Sequence, residues 1–307
     1  MSSAMYVNAS VANVEQKLEK TGLKLPGKAQ SLTPMKTDYH PSDDVTRELN
    51  AEGLHYYQEL IGVLRWAVEI GRLDILLEVA LLSAHLALPR QGHLEQVYHV
   101  FAYLKHQPNR TLYLDPDSPI ISEDRFAKYD WQDFYKYADD PLPPDMPTPR
   151  GHTVSTHCFV DSDHAGDKAT RRSQTGILIF INRAPIITYS KRQNSVEAST
   201  YGSELVAMRQ AIELIRSLRY KLRMFGIQFY GPTDIFCDNE SVYKNVSRPS
   251  SVLSKKQHSI SYHVAREAVA GLVVRVAKEN TLTNLADVFT KTMPKPKRDN
   301  LFALFMY

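Results

Sequence analysis

The chain has 307 residues, of which 43% are hydrophobic and 23% charged, with a formal net charge of +3. This balance excludes a disordered or fibrous chain and predicts one large or two ordinary globular domains with a real core. Two cysteines, Cys158 and Cys237, exclude a disulfide framework and suit a reducing compartment.

In chain order, residues 1–50 are polar and weakly periodic, predicting a mostly irregular, poorly anchored segment. The first twenty residues lack a basic start followed by an apolar run, which argues against a secretory signal. Residues 51–114 predict helices: an apolar stripe beginning at His55, Tyr56 and Leu60 runs on at helical spacing until Pro89 closes it. A second helix follows from about His93 to His106. The longest apolar stretch, 73–88, contains Asp74, Glu78 and His85, so it predicts a buried helix rather than a membrane span. Residues 115–149 hold nine acidic and three basic residues and end in DDPLPPDMPTP, which predicts a linker without regular helix or interior strand.

Beyond Arg150 the period changes. VSTHCFVD, TGILIFIN and PIITYSK predict an antiparallel meander, followed by a long helix from about Glu197 to Phe225. Strand TDIFCD, helix NESVYKNV, the helical stretch KKQHSISYHVAREAVA, strand LVVRVAK and a last helix NLADVFTK complete the order. The expected fold class is α/β, a mixed five-stranded sheet flanked by helices.

Four acids lie at the edges of these elements: Asp161 ending the first strand, Glu204 early in the long helix, Asp238 ending the fourth strand, and Asp287 opening the last helix. Ligands collect near the carboxyl ends of strands in such sheets, and carboxylates cluster at low cost only where cations neutralise them. Convergence of the four predicts a site for two Mg²⁺ ions, or Mn²⁺, of the kind that cleaves phosphodiester bonds. Each acid alone also has a purely structural reading, as a helix cap for Asp238 and Asp287 or a turn residue for Asp161 and Asp163. Charge is unevenly divided. Residues 1–149 carry 14 Lys+Arg against 21 Asp+Glu, and residues 150–307 carry 23 against 13. The basic half is the one with the four acids, which suits a polyanionic nucleic-acid partner.

FVDSDHAGDKATRRSQTGILIFINRAPIITYSKRQNSVEASTYGSELVA, CDNESV, HSISYHVAREAV and NLADVFTK together resemble the ribonuclease H domain of copia-type LTR retrotransposon Pol polyproteins, over about residues 152–293. The resemblance implies a ribonuclease H-like domain at 150–293 that cleaves the RNA strand of RNA–DNA hybrids, with Asp161, Glu204, Asp238 and Asp287 as metal ligands. It implies hybrid contacts at Ser199, Thr200 and Tyr201, and Asn239 is also expected to bind nucleic acid. The 51–114 segment resembles the thumb and connection region of the same polyproteins, making the rest of Pol, including its polymerase palm, a partner. A cytoplasmic particle or the nucleus is then the expected location, with no membrane involved. Residues 294–307 are left as a tail. The histidine that many ribonucleases H carry before the last aspartate is absent from VAKENTLTN, leaving His258 and His263 as possible auxiliaries.

Tyr137-Ala138-Asp139-Asp140 spells the YxDD signature of reverse transcriptases, but it runs into PLPPDMP rather than sitting between apolar strands. It predicts a linker coincidence. Of the basic residues, Lys191 and Arg192 are the expected phosphate track; Arg216, Arg219 and Arg223 recur at helical spacing, and the KPKR stretch reads as a solvated surface. Two other readings of the chain remain: a truncated, non-catalytic remnant that binds nucleic acid, and an integrase or transposase. The latter usually order their acids Asp, Asp, Glu.

Overall fold

A computed structural model describes residues 3–253 and 255–307. The N-terminal segment is irregular only in part: residues 20–50 have no α-helix or strand of their own, but a helix precedes them. Helix α1 (Ala4–Glu19) buries Val7, Val11, Val14 and Leu18, a stripe at helical spacing thinned by the polar residues between. Helix α2 (Ala51–Glu69) starts at Asn50, whose side chain accepts from the Gly53 N–H. The apolar run that predicts one continuous helix breaks at Gly71, which sits at φ 110°. Helix α3 (Leu76–Ser83) follows, then α4 (Gln91–His106), which packs against α1.

Residues 107–149 form no α-helix or strand of their own, apart from a short 3₁₀ turn at Glu123–Arg125. They are nonetheless fixed. Phe126 is buried against Phe236, and Arg266 stacks over Trp131 and Tyr135. Asp140 takes ion pairs from Arg219 at 2.6 Å and Arg223 at 2.5 Å.

Strand β1 (Arg150–Val154) precedes the meander β2 (Thr156–Ser162), β3 (Gln174–Ile181) and β4 (Ala184–Arg192). Then come α5 (Thr200–Met224), β5 (Ile227–Phe229), β6 (Thr233–Cys237), α6 (Glu240–Ser247), α7 (Ser259–Ala270) and β7 (Val274–Lys278). The last α-helix is α8 (Lys295–Phe302). The main sheet has the order β4-β3-β2-β6-β7, with β2, β3 and β4 antiparallel and β6 and β7 parallel to β2. This is the expected mixed five-stranded sheet flanked by helices. β1 and β5 make a separate parallel pair that the sequence reading does not contain.

Strand alternation splits the core between the two faces of the sheet. Cys158, Val160, Ile177, Ile179, Ile235 and Cys237 pack against Leu205, Met208, Ile212 and Ala265 of α5 and α7. Leu178 and Phe180 point the other way and share a core with Val97, Val100 and Phe101 of α4 and with Phe302, Phe305 and Met306 near the C-terminus. The helical segment therefore closes its apolar face on the sheet, and residues 294–307 are part of that core rather than a tail. Their KPKR stretch is not a solvated surface either. Arg298 is buried, donating to the Tyr103 hydroxyl at 3.1 Å and to the Asp74 carbonyl. No described helix is long and apolar enough to cross a membrane.

Candidate metal centre

Parallel pairing brings Val160 opposite Cys237, so β2 and β6 end side by side and deliver Asp161 and Asp238 to the same edge. α5 crosses this edge with its first turn. The Ser199 hydroxyl caps it by accepting from the Gly202 N–H, and Glu204 follows one turn later. Asp161, Glu204 and Asp238 each offer a carboxylate oxygen, and these atoms lie within 4.8 Å of one another. Asp161 and Glu204 are buried. Among the described residues no other group of three His, Cys, Asp or Glu side chains converges in this way.

Burial, followed by repulsion from Asp161 and Asp238, pushes the Glu204 carboxyl well above the usual carboxylate range. Burial, opposed by Lys291 and reinforced by Asp287, raises Asp161 to about 6. Such strain is relieved by a cation. Three carboxylates this close could hold a divalent ion such as Mg²⁺, which takes oxygen ligands.

The fourth acid is set apart from the three. Asp287 lies in a 3₁₀ turn, Leu285–Phe289, where an α-helix is the expectation. Asn284 caps that turn, accepting from the Ala286 N–H and donating to the Val160 carbonyl at 3.0 Å, which ties it to β2. Both Asp287 oxygens face lysines: Lys291 at 3.0 Å from Oδ1 and Lys297 at 2.9 Å from Oδ2. Lys291 also reaches Asp161 Oδ2 at 3.4 Å, and the Thr290 hydroxyl donates to the same oxygen.

Several positioning residues escape a reading of motifs alone. Gln193 is buried, its Nε2 within hydrogen-bonding distance of the Ser162 and Thr175 hydroxyls and the Ser203 carbonyl, so it ties β2, β3 and α5 together. Gly176 pairs with Asp161 across the sheet, and a Cβ there would stand 2.7 Å from the Ala286 carbonyl. An interior-strand glycine was the visible signal for that close approach. Lys291, four residues beyond Asp287, was the signal for an ion pair across one turn.

The remaining candidates divide. Lys191 and Arg192 line a cleft of about 610 Å³ between β4 and the α2–α3 helices, together with Arg65, Arg172 and Asn194. Lys191 pairs with Thr175 one register step from the Gly176–Asp161 pair, two strand spacings or roughly 10 Å from β2. Arg192 is partly engaged by Asp167 at 2.5 Å. Thr200 is exposed and Tyr201 half-buried at the start of α5. Asn239 caps α6, accepting from the Ser241 and Val242 N–H groups. His258 is buried beside Glu197 and Tyr201 under the first turn of α5. His263 bonds the Tyr135 hydroxyl at 2.6 Å. Neither histidine joins the acidic cluster. Arg219 and Arg223, spent on Asp140, are not a phosphate track, and Asp140 of the YADD sequence is a structural ion-pair partner.

The class these features define is an α/β domain, a mixed five-stranded sheet flanked by helices with an acidic centre where β2 and β6 end, joined to a helical segment. In sequence the chain is homologous to retrovirus-related Pol polyproteins of copia-type transposons. It is 25% identical over 244 residues to that of transposon RE1 from Arabidopsis thaliana, covering 80% of this chain and 14% of that protein. It is 26% identical over 242 residues to that of transposon TNT 1-94 from Nicotiana tabacum, covering 78% and 15%. The chain thus spans about one-seventh of the length of these relatives. No family model matches it. Among solved structures, ribonuclease H1 of the archaeon Halobacterium salinarum aligns with 44% of this chain and 94% of its own, at 16% identity and a TM-score of 0.35. LC11-RNase H1, solved in complex with an RNA/DNA hybrid, aligns with the same shares at 14% identity and a TM-score of 0.36.

Proposed function

We propose that this chain is the ribonuclease H portion of a copia-type retroelement Pol polyprotein and hydrolyses the RNA strand of RNA–DNA hybrids with divalent metal. The observation that carries this is the convergence of Asp161, Glu204 and Asp238 at the ends of β2 and β6, with like charges forced together. Asp161, Glu204 and Asp238 are the residues that would hold Mg²⁺ or Mn²⁺. The bound ion supplies activation of the attacking water and stabilisation of the leaving 3′-oxygen. Around it, Thr290 and Lys291 orient Asp161, and Gln193 fixes the spacing of β2 from α5. Lys191 and Arg192 bind phosphates along the β4 cleft, giving salt-dependent, sequence-independent affinity. The 2′-hydroxyls of the RNA strand distinguish it from DNA. Residues 51–114 and 150–293 act as connection-like and nuclease units of a longer polyprotein that supplies the polymerase palm.

The test is cleavage of a labelled hybrid by the purified chain in Mg²⁺ and in EDTA. Activity is expected only with metal, leaving a 3′-hydroxyl. Asp238→Asn is expected to lower it by about 100-fold or more while the circular dichroism spectrum is unchanged. Full activity in Asp238→Asn sinks the site assignment. Hybrid binding without cleavage in the parent chain identifies a non-catalytic remnant instead.

A further inference from the structure

We propose that the end of the sheet opposite the acidic centre is a second polyanion-binding face, and that carboxylates of the 107–149 segment occupy it in place of phosphates. Nucleic acid is thereby kept to the β4 cleft, beside the acidic centre. The inference rests on the nucleic-acid partner proposed above, and not on the hydrolytic step.

Topology collects the arginines. β6 and β7 run parallel to β2, so both begin at the end of the sheet away from Asp161 and Asp238. The turn holding Arg183 lies at that end too, since Ile181 pairs with Thr156 at the start of β2. α5 starts at the acidic centre and carries Arg219 and Arg223 in its last two turns, where Arg219 donates to the Gly231 carbonyl at 3.1 Å. With Arg275 near the start of β7, four arginines meet there. Each is taken by a carboxylate of the 107–149 segment. Asp115 stands 3.0 Å from Arg183, Glu123 2.6 Å from Arg275, and Asp140 2.6 and 2.5 Å from Arg219 and Arg223. Arg275 also pairs with Asp234 of β6. Where the polarity reverses, Arg125 with Glu279 at 2.8 Å, the contact lies at the other end of β7. Guanidinium groups bind carboxylate and phosphate with the same planar fork, and two arginines converging on Asp140 is a grip suited to one phosphate. Left bare, this face would attract a duplex of any sequence. A hybrid held there lies a strand length, roughly 17 Å, from the acidic centre. The nine acidic and three basic residues of 115–149 neutralise it, leaving the β4 cleft with Arg172 and Lys191 as the basic surface at the acidic centre's end.

The experiment measures binding of a fluorescently labelled RNA–DNA hybrid to the full chain by anisotropy, in EDTA and over a range of KCl concentrations. One variant combines Asp115→Asn, Glu123→Gln and Asp140→Asn. Its charge-matched control combines Asp117→Asn, Asp133→Asn and Asp145→Asn, acids of the same segment outside these ion pairs. The first is expected to bind about 10-fold tighter than the control at low salt, with a plot of log affinity against log salt steeper by about two, the release of two more counterions. Arg223→Gln is expected to change affinity by less than about 2-fold in the parent chain and to lower it by about 3-fold or more in the first variant. Equal affinity and slope in the two combined variants overturns the inference. So does an Arg223→Gln effect of equal size in both backgrounds. If the first variant fails to fold, Arg183→Gln and Arg223→Gln in the parent decide the question: unchanged affinity is expected, and a loss of about 3-fold or more overturns the inference. Cleavage by the parent in Mg²⁺ is read separately. Binding without cleavage sinks the hydrolytic reading and leaves this inference standing, whereas no hybrid binding by any of these chains sinks both.

Discussion

Glu78 shows how burial alone sets a charge problem. It lies in α3 inside the core shared with the sheet, where burial, opposed by Arg298, raises its carboxyl from 4.5 to about 7. The folded chain therefore holds that proton more tightly than the unfolded one. Its stabilising effect is complete below pH 4.5 and is lost as pH rises towards 7. Glu78→Gln is expected to flatten that part of the stability–pH curve and to raise stability above pH 7 by on the order of 3 kcal/mol. Urea denaturation at pH 5 and pH 8 checks this; an unchanged difference between the two pH values counts against it. Asp161, Glu204 and Asp238 could be read from sequence because each sits at a strand end or one turn into a helix, where backbone periodicity fixes direction. Of the lysines beside Asp287, Lys291 carried the spacing of an ion pair across one turn, whereas Lys297 carried no such signal, because its approach depends on how the chain turns after residue 291.

At the scale of elements, the placement of the 3₁₀ turn over β3 depends on Gly176. A methyl group there meets the Ala286 carbonyl at 2.7 Å and the Thr290 side chain at the same distance. Gly176→Ala must lift the turn, and Thr290 and Lys291 with it. Overpacking of this kind costs about 1–3 kcal/mol. The expected outcome is a lower melting temperature together with weaker Mn²⁺ binding, although Gly176 is not a ligand; a destabilised variant with undiminished metal affinity would show that the turn does not set the site. The meander and the long helix were legible because their periodicities are strong. The 3₁₀ character of Leu285–Phe289 was not, since one turn of either helix carries the same pattern. α1 was missed for a related reason: its stripe is sparse, and packing on α4 and α2 is what makes it worth burying.

For the whole molecule, the sheet is shared property. Its β3 face carries Leu178 and Phe180 into the same core as α4 and the C-terminal residues. A chain cut to residues 150–307 therefore exposes that face. Expressed alone, it is expected to aggregate or to bind a hydrophobic dye strongly, whereas the full chain does not. A monomeric, cooperatively melting 150–307 fragment would show the two parts to be independent. Breaking the joint from within has a parallel effect. Arg298→Ala removes the donor to Tyr103 and the Asp74 carbonyl, beside the buried Arg72–Asp74 pair, and is expected to cost about 3–5 kcal/mol in a single unfolding transition. Two separate transitions would contradict the shared core. None of this joint was visible in the sequence, because the joined segments lie some two hundred residues apart and neither carries a motif for the other.

That separation has a consequence for synthesis. The helices built from residues 51–106 leave the ribosome about two hundred residues before Phe302, Phe305 and Met306, which complete their core. These helices must wait, partly open, while the stretch between is made, and a nascent chain stalled or cut within it leaves them without the segment that closes them.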